Sequence, residues 1–404
     1  MTAYLLGLHS RADSLAVAMG PADTINSMLI NSMVFAFVPM LAAETNAGRT
    51  RLFLRLRRAF VWVFPAVSLA VIATAGWLMR VLAPGLDAEA LRTAIDLARI
   101  LALSTSAAGI AALYWALLYT ERRFAPTAFY QATLNLSTIA AAIVLWKELG
   151  VYAFALGYTL GAAIQLAYVH IACRSSLRAP EAPAEEGLAW RQVLAKPAFF
   201  VAYAAGLGLN VTFTRAYATH AGPGMAAAFE YCMRVVGVPL AILVSPMANS
   251  LLPEIARLRS LFRLREAFPL IDRTIVWSAL ASLAITAAAL LLRHPVIALL
   301  FQRGSFTAES TSRVSAVFLG FGPVLVGWTL IEIAARSLFA LERPWLPLLA
   351  AFVPVTVNAG LTLAFHSIAP ERIGMGASSG AMAGAALLLL MVYVSRSRKS
   401  GVRS

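Results

Sequence analysis

The chain is poor in charge. Only 13% of its 404 residues are Asp, Glu, Lys or Arg, where a soluble domain carries roughly a quarter. Acids are scarcest, 19 against 33 basic residues. Cysteine is nearly missing: Cys173 and Cys232 both lie in apolar runs with no CxxC pairing. A disulfide framework or a zinc site is therefore not expected. The five histidines (His9, His170, His220, His294, His366) are scattered and argue against a metal cluster. No Walker loop, GxSxG, HExxH or strand-leading GxGxxG is present, so the usual motifs of soluble enzymes are lacking. Neither catalysis nor a cofactor is expected, and an ATP-driven pump would need a partner subunit. The first residues lack a basic stretch followed by an apolar run, so no cleavable signal peptide is expected.

What is abundant is hydrophobic length. Residues of apolar type make up 60% of the chain and the mean hydropathy is +0.76. This describes an all-α integral membrane protein with many spans. Eleven candidate transmembrane helices lie near 14–42, 59–81, 96–119, 125–146, 150–173, 195–217, 225–252, 271–293, 312–340, 345–366 and 373–395. A polar, Pro-containing stretch over 174–190 reads as a linker. It separates an N-terminal lobe (1–173) from a C-terminal lobe (191–395), with a basic tail over 396–404. The net charge of +14 does not point to nucleic acid, because no basic, aromatic-rich segment lies outside the spans. It follows the positive-inside bias instead. One set of alternate loops and the C-terminal tail holds 21 Lys and Arg and the other set 9. The C-terminus is thus expected in the cytoplasm and the N-terminus outside. That arrangement suggests that a first helix is missing.

An internal repeat supports the two-lobe reading. Leu117-Leu-Tyr-Thr-Glu121-Arg122-Arg-Phe-Ala-Pro126 matches Leu338-Phe-Ala-Leu-Glu342-Arg343-Pro-Trp-Leu-Pro347 at an offset of 221. Phe37-Val-Pro39-Met-Leu41 resembles Leu251-Leu-Pro253-Glu-Ile255 at an offset of 214. Partners lie six spans apart, so the halves are parallel repeats.

The candidate site residues are the few ionisable groups inside spans, which are costly there and point to bundle interiors or wet cavities. Glu230 and Arg234 share a helix face at i,i+4, and so do Glu332 and Arg336. Each pair either neutralises itself in a buried helix or leaves its Arg to hold an anionic head group, for which the planar guanidinium fork is suited. Asp96 and Arg99 read as a structural pair. Asp13 opens the first span as a helix N-terminal acid. Asn26 and Asn31 either line a polar path or tie helices together. Asn135 and Asn358 occupy corresponding places after the two Glu-Arg turns and read as structural pins. The eight tryptophans, mostly near span ends, read as interfacial anchors.

Residues 222–259 resemble the eighth-helix signature of the MurJ/MviN lipid II flippases: a Gly, then Tyr231 and Arg234, Pro239, and Leu252-Pro253-Glu-Ile255. Asp13 with Val17-Ala18 and Phe37-Val38-Pro39 resembles the family's second helix. Leu300-Phe-Gln-Arg-Gly304-Ser-Phe306 resembles the loop after the ninth, and Arg336-Ser-Leu-Phe339 with Pro347 the end of the tenth. The family belongs to the multidrug/oligosaccharidyl-lipid/polysaccharide exporter superfamily. The resemblance implies two pseudo-repeated six-helix lobes around a central cavity in the bacterial cytoplasmic membrane. It implies alternating-access movement of a lipid-linked, pyrophosphate-bearing saccharide for peptidoglycan synthesis. Substrate contacts would come from Arg234 with Arg336 and Arg215, and charge balance from Asp13 and Glu230. The implied partners are the lipid-linked substrate, membrane lipids, and cell-wall or polysaccharide synthesis proteins. There are departures. The family's first helix and last two helices have no counterpart, its second-helix bases are replaced around Asn26 and Ser27, and Met233 stands where an Asp normally precedes Arg234. These departures keep open an exopolysaccharide or O-unit flippase, a cation-coupled exporter, or a transport-incompetent fragment.

Overall fold

The computed structural model describes residues 1–400 except 43, 124, 175, 178–189, 245, 249–250, 252–253, 256–257, 259–262, 342 and 365–368. The side chains of 31, 32, 35, 36, 39, 128, 190–200, 264, 370, 371 and 397–400 also lie outside the described set. The described chain is helical. In order it forms α1 (Thr2–Leu6), α2 (Ser10–Ala42), α3 (Asn46–Leu82), α4 (Ala88–Thr120), α5 (Ala125–Ala128), α6 (Tyr130–Leu149), α7 (Tyr152–Ala172), α8 (Trp190–Ala218) and α9 (Met225–Pro239). There follow α10 (Leu264–Leu291), α11 (Arg293–Phe301), α12 (Ala308–Phe321), α13 (Val324–Ala340), α14 (Trp345–Ala350), α15 (Val353–Ala364) and α16 (Pro370–Ser400). Described helical residues fall within each of the eleven segments expected to span, although 245, 249–250 and 252 of the seventh and 365–366 of the tenth lie outside the described residues. Among the described residues, eight helices are long and apolar enough to cross a membrane, or nine with α12 and α13 as one bent span. Two further segments fall on α2 and α8, of 33 and 29 residues.

Two compact units emerge. The first is Ser10–Ala205 and the second is Gly206–Ser404 together with Thr2–His9. The division falls inside α8. The linker expected over 174–190 lies mostly outside the described residues.

In the first unit α4 is central, with α2, α3 and α7 packed on it and α6 on α7. Its sequence explains this. Ala, Ser and Gly on several faces let neighbours approach closely, and Ala94, Ala98, Ala108, Ala112 and Ala116 are all buried. Large side chains fill between: Phe53 meets Tyr114 edge-on, and Phe37, Phe60 and Phe64 form an edge-to-face stack. At 37 residues, α3 is about 55 Å long, well beyond the ~30 Å hydrocarbon core. The excess is its first turns, which carry Arg49, Arg51, Arg55, Arg57 and Arg58. Trp62 and Trp77 stand exposed on the same helix, about 22 Å apart along its axis, as anchors at two interfaces would. Trp115 does not fit the anchor expectation. It is buried against Tyr130.

The repeated Glu-Arg turn has a shared construction. The amide of Arg123 donates to Leu118 O, and that of Arg343 to Leu338 O. Both bonds close a helix C-terminus in the Schellman manner, after Thr120 and after Ala340. Arg122 supplies the left-handed residue at φ 59°. Basic side chains here also face the negative end of the helix dipole. Each next helix begins after four residues, at Ala125 and Trp345. Glu342 lies outside the described residues.

In the second unit, α12 and α13 meet at 44° around Gly322-Pro323. Pro323 has no N–H for Leu319 O, and the amides of Leu325 and Val326 bond to Gly322 O and Pro323 O, so carbonyls before the break lose their helical partners. In a membrane such groups must find others. The Ser378 hydroxyl of α16 donates to Gly320 O and Phe321 O, at 2.7 and 3.1 Å. One turn earlier is Gly374, where a Cβ would lie 2.4 Å from the Phe321 nitrogen. The Thr2–His9 segment lies over the loops of this unit. The Ser305 amide donates to Tyr4 O (2.8 Å) and the Tyr231 hydroxyl to Gly7 O (3.4 Å). Gly224 turns at φ 86°, and a Cβ there would sit 2.5 Å from Leu8 O.

Candidate functional site

The site is built where α8 turns back into α9. Gly222-Pro-Gly224 makes the reversal, and Arg313 of α12 holds it by donating to Pro223 O (2.9 Å). Arg215 in the last turn of α8 is 3% exposed. It donates from Nε to Glu230 Oε1 at 2.6 Å, with Nη2 at 2.5 Å. Its third nitrogen, Nη1, has no partner among the described residues.

This corrects the pairing expected from spacing. Glu230 does not pair with Arg234 one turn on; it is taken by Arg215 of the neighbouring helix. Both arginines could reach the acid, and the buried one, which water cannot solvate, has the larger need for it. Arg234 is left exposed. It reaches Thr2 Oγ1 (3.1 Å) and lies 5.9 Å from the Tyr231 ring centre, an arrangement that supplies cation–π stabilisation while leaving donors available to a ligand. The second expected pair does form. Arg336 on α13 donates through Nε (2.7 Å) and Nη2 to Glu332 Oε1.

In the first unit Asp13 lies in the first turn of α2 and is 1% exposed, where a carboxylate favours the helix N-terminus. Its neighbour Ser14 ties α2 to α4 by donating to Ala90 O (2.8 Å). Asn26 is fully buried and donates to Ser104 Oγ (2.9 Å), so it joins helices. The Asn31 side chain lies outside the described residues. Asp96 and Arg99 pair at 3.2 Å with half of each side chain exposed. The sequence reading missed Asp23. It is an exposed acid midway along α2, and the Tyr158 hydroxyl donates to it at 2.9 Å. The rule that singled out Glu230, an ionisable group deep in a span, applies to it equally.

The two corresponding asparagines differ. Asn135 is exposed. Asn358 is buried and donates to Asn210 Oδ1 and Thr214 Oγ1, both at 2.8 Å, while accepting from Thr362 (3.1 Å). It pins α15 to α8. Replacing Asn358 by alanine is expected to lower stability by about 1–2 kcal/mol, because acceptors on α8 lose their donor. Asn135→Ala should leave stability unchanged. Thermal unfolding of both variants in detergent checks the contrast.

The helical bundle has solved counterparts. A multidrug-resistance MATE transporter of the MOP superfamily, in an inward-facing conformation, superposes with TM-score 0.81 at 14% identity, covering 100% of this chain and 94% of that one. Lipid II flippase MurJ in an inward closed conformation gives TM-score 0.79 at 16% identity, covering 97% and 83%. The chain therefore shares the fold of these solved proteins. Sequence narrows it. The family model described as Lipid II flippase MurJ matches residues 2–402. A probable lipid II flippase MurJ of Rhizobium meliloti (strain 1021) is 28% identical over 92% of this chain and 72% of its own length. The lipid II flippase MurJ of Burkholderia cenocepacia is 28% identical over 85% and 70%. The chain belongs to the MurJ family.

Proposed function

We infer that this protein flips lipid II, the lipid-linked pyrophosphoryl saccharide of peptidoglycan synthesis, across the bacterial cytoplasmic membrane. The observation that carries the reading is the family match over residues 2–402. The work is transport rather than catalysis. Arg234 contacts the pyrophosphate, since its guanidinium is exposed and, among the described residues, held by a hydroxyl and a ring. Arg336 and the Nη1 of Arg215, without a partner among the described residues, add positive potential, while Asp13, Glu230 and Asn31 balance charge and polarity along the path and Asn26 ties α2 to α4 beside it. The lobes over 1–173 and 191–395 alternate access by rocking, biased by ions or membrane potential. The Lys/Arg asymmetry supports a cytoplasmic C-terminus and an outward N-terminus. Cell-wall synthesis proteins are the expected protein partners.

The test is complementation. In cells depleted of their own lipid II flippase, expression of the chain should restore growth and cell shape. Absence of rescue with the protein present in the membrane would move the reading to another saccharide cargo.

A further inference from the structure

We propose that the second unit bends at one level: α9 is broken at Pro239, the α12–α13 span is broken at Gly322-Pro323, and the two bends change together. Nothing in this depends on the cargo. All the residues belong to the second unit, and the bends are read without transport.

The first break ends α9. Pro239 has no N–H for Val235 O, and the chain goes on as a π-turn over Leu240–Val244. Prolines and π-turns are among the few causes of sharp helix bends, and π-turns recur at functional positions. Just before the proline is Gly237, where a Cβ would meet nothing within 4 Å, so there is open space beside the bend. The second break is the 44° angle between α12 and α13.

The levels match. Pro239, Leu243 and Val244 line one crevice together with Leu325, which follows Pro323 closely. Before the breaks the two spans are tied to each other. Phe229 meets Phe321 edge-on at 4.9 Å, the Cys232 thiol donates to Val314 O (3.5 Å), and Arg313 donates to Pro223 O (2.9 Å). After the breaks the π-turn packs on α13. Each span is thus divided at the same level, and each half is fastened to the matching half of the other.

The remaining wall of the crevice lets the bends move. It is α10, which contributes Ser278, Ala281, Ser282 and Ile285. All but Ile285 are small. The Ser278 and Ser282 hydroxyls donate to Ile275 O and Ala279 O of their own helix, both at 3.1 Å, so neither gives its proton across the crevice. Apolar side chains can shift over such a wall without breaking a hydrogen bond, whereas a polar contact there would pin them. Arg234 rides on the first half of α9, about 8 Å along the axis from Pro239. The bend therefore sets where its guanidinium stands relative to the second halves.

The experiment uses the full chain in nanodiscs, with spin labels carried on introduced unnatural amino acids so that both cysteines stay in place. One pair, at His220 and Ile242, spans the bend of α9; the other, at Ser312 and Leu349, spans that of α12 and α13. All four positions are exposed. Pro239→Ala returns an N–H to α9 and should shift the first distance by several ångströms, and the second with it. Pro323→Ala should likewise shift both. Ser282→Leu fills the crevice and should narrow both distance distributions. Hydrogen exchange in the unmodified protein is independent of variant folding: the amides of Leu240–Val244, Leu325 and Val326 should exchange about tenfold faster than those of Phe229–Val235 and Leu330–Arg336. The proposal is overturned if either proline variant moves only the distance across its own span, if neither variant moves a distance, if Ser282→Leu leaves both distributions as broad as before, or if the amides at the breaks exchange no faster than their flanks.

Discussion

Arg234→Ala is expected to abolish rescue of flippase-depleted cells without lowering the amount of protein in the membrane. The side chain is exposed and contributes one bond to Thr2 and one ring contact, so its loss should scarcely disturb folding. Its loss to a pyrophosphate cargo is larger. A charge-assisted hydrogen bond contributes about 1.5–3 kcal/mol, which is roughly ten- to a hundredfold in affinity. Arg234→Lys keeps the charge but loses the fork, and should rescue partly. Growth under depletion, with immunoblots of membrane fractions, separates these outcomes. Full rescue by the alanine variant would remove Arg234 from the cargo path.

Glu230→Ala should act in the opposite way, on stability before transport. It leaves Arg215 charged and buried without an acid. Breaking a buried pair costs about 3–5 kcal/mol. Glu230 keeps 23% of its side chain exposed, so the lower end applies, about 3 kcal/mol. For a unit of this size that is a fall on the order of 10 °C in the unfolding midpoint. The double variant Arg215→Met/Glu230→Leu removes both charges and should recover most of the loss. If the single variant unfolds like the unmodified protein, the pair is not what holds α8 to α9.

Sequence and structure agree where one helix decides the matter and part where two must. Long apolar runs and the repeated Glu-Arg turn each speak within a single segment, so the helices and the repeat were legible. The Glu332–Arg336 pair was legible for the same reason, since both partners lie on α13. Spacing could not reveal that Arg215 on α8 captures Glu230 from α9, because helical periodicity assigns faces and not neighbours. Nor could it foresee that Ser378 answers a break fifty-odd residues earlier. Asn358 and Asn135 look alike in sequence; only the helix beyond each shows that one meets Asn210 and Thr214 and the other does not. Asp23 was hidden differently. It is a lone acid in a long apolar stretch with no base one turn away, so no pairing drew attention to it.

The bent span has a consequence for the freedoms available to the second unit. Ser378 has one proton and shares it between the two carbonyls that the Gly322-Pro323 break released. Gly374 offers the bare backbone into which Phe321 fits. Sliding α16 by one turn would withdraw the hydroxyl and bring a different side chain against Phe321. Straightening the bend would still leave Leu319 O without a helical donor, because Pro323 has no hydrogen to give. The angle of the bend and the register of α16 are thus a single coordinate. A motion of the second unit that changes the bend should therefore also move α16 against α12 and α13.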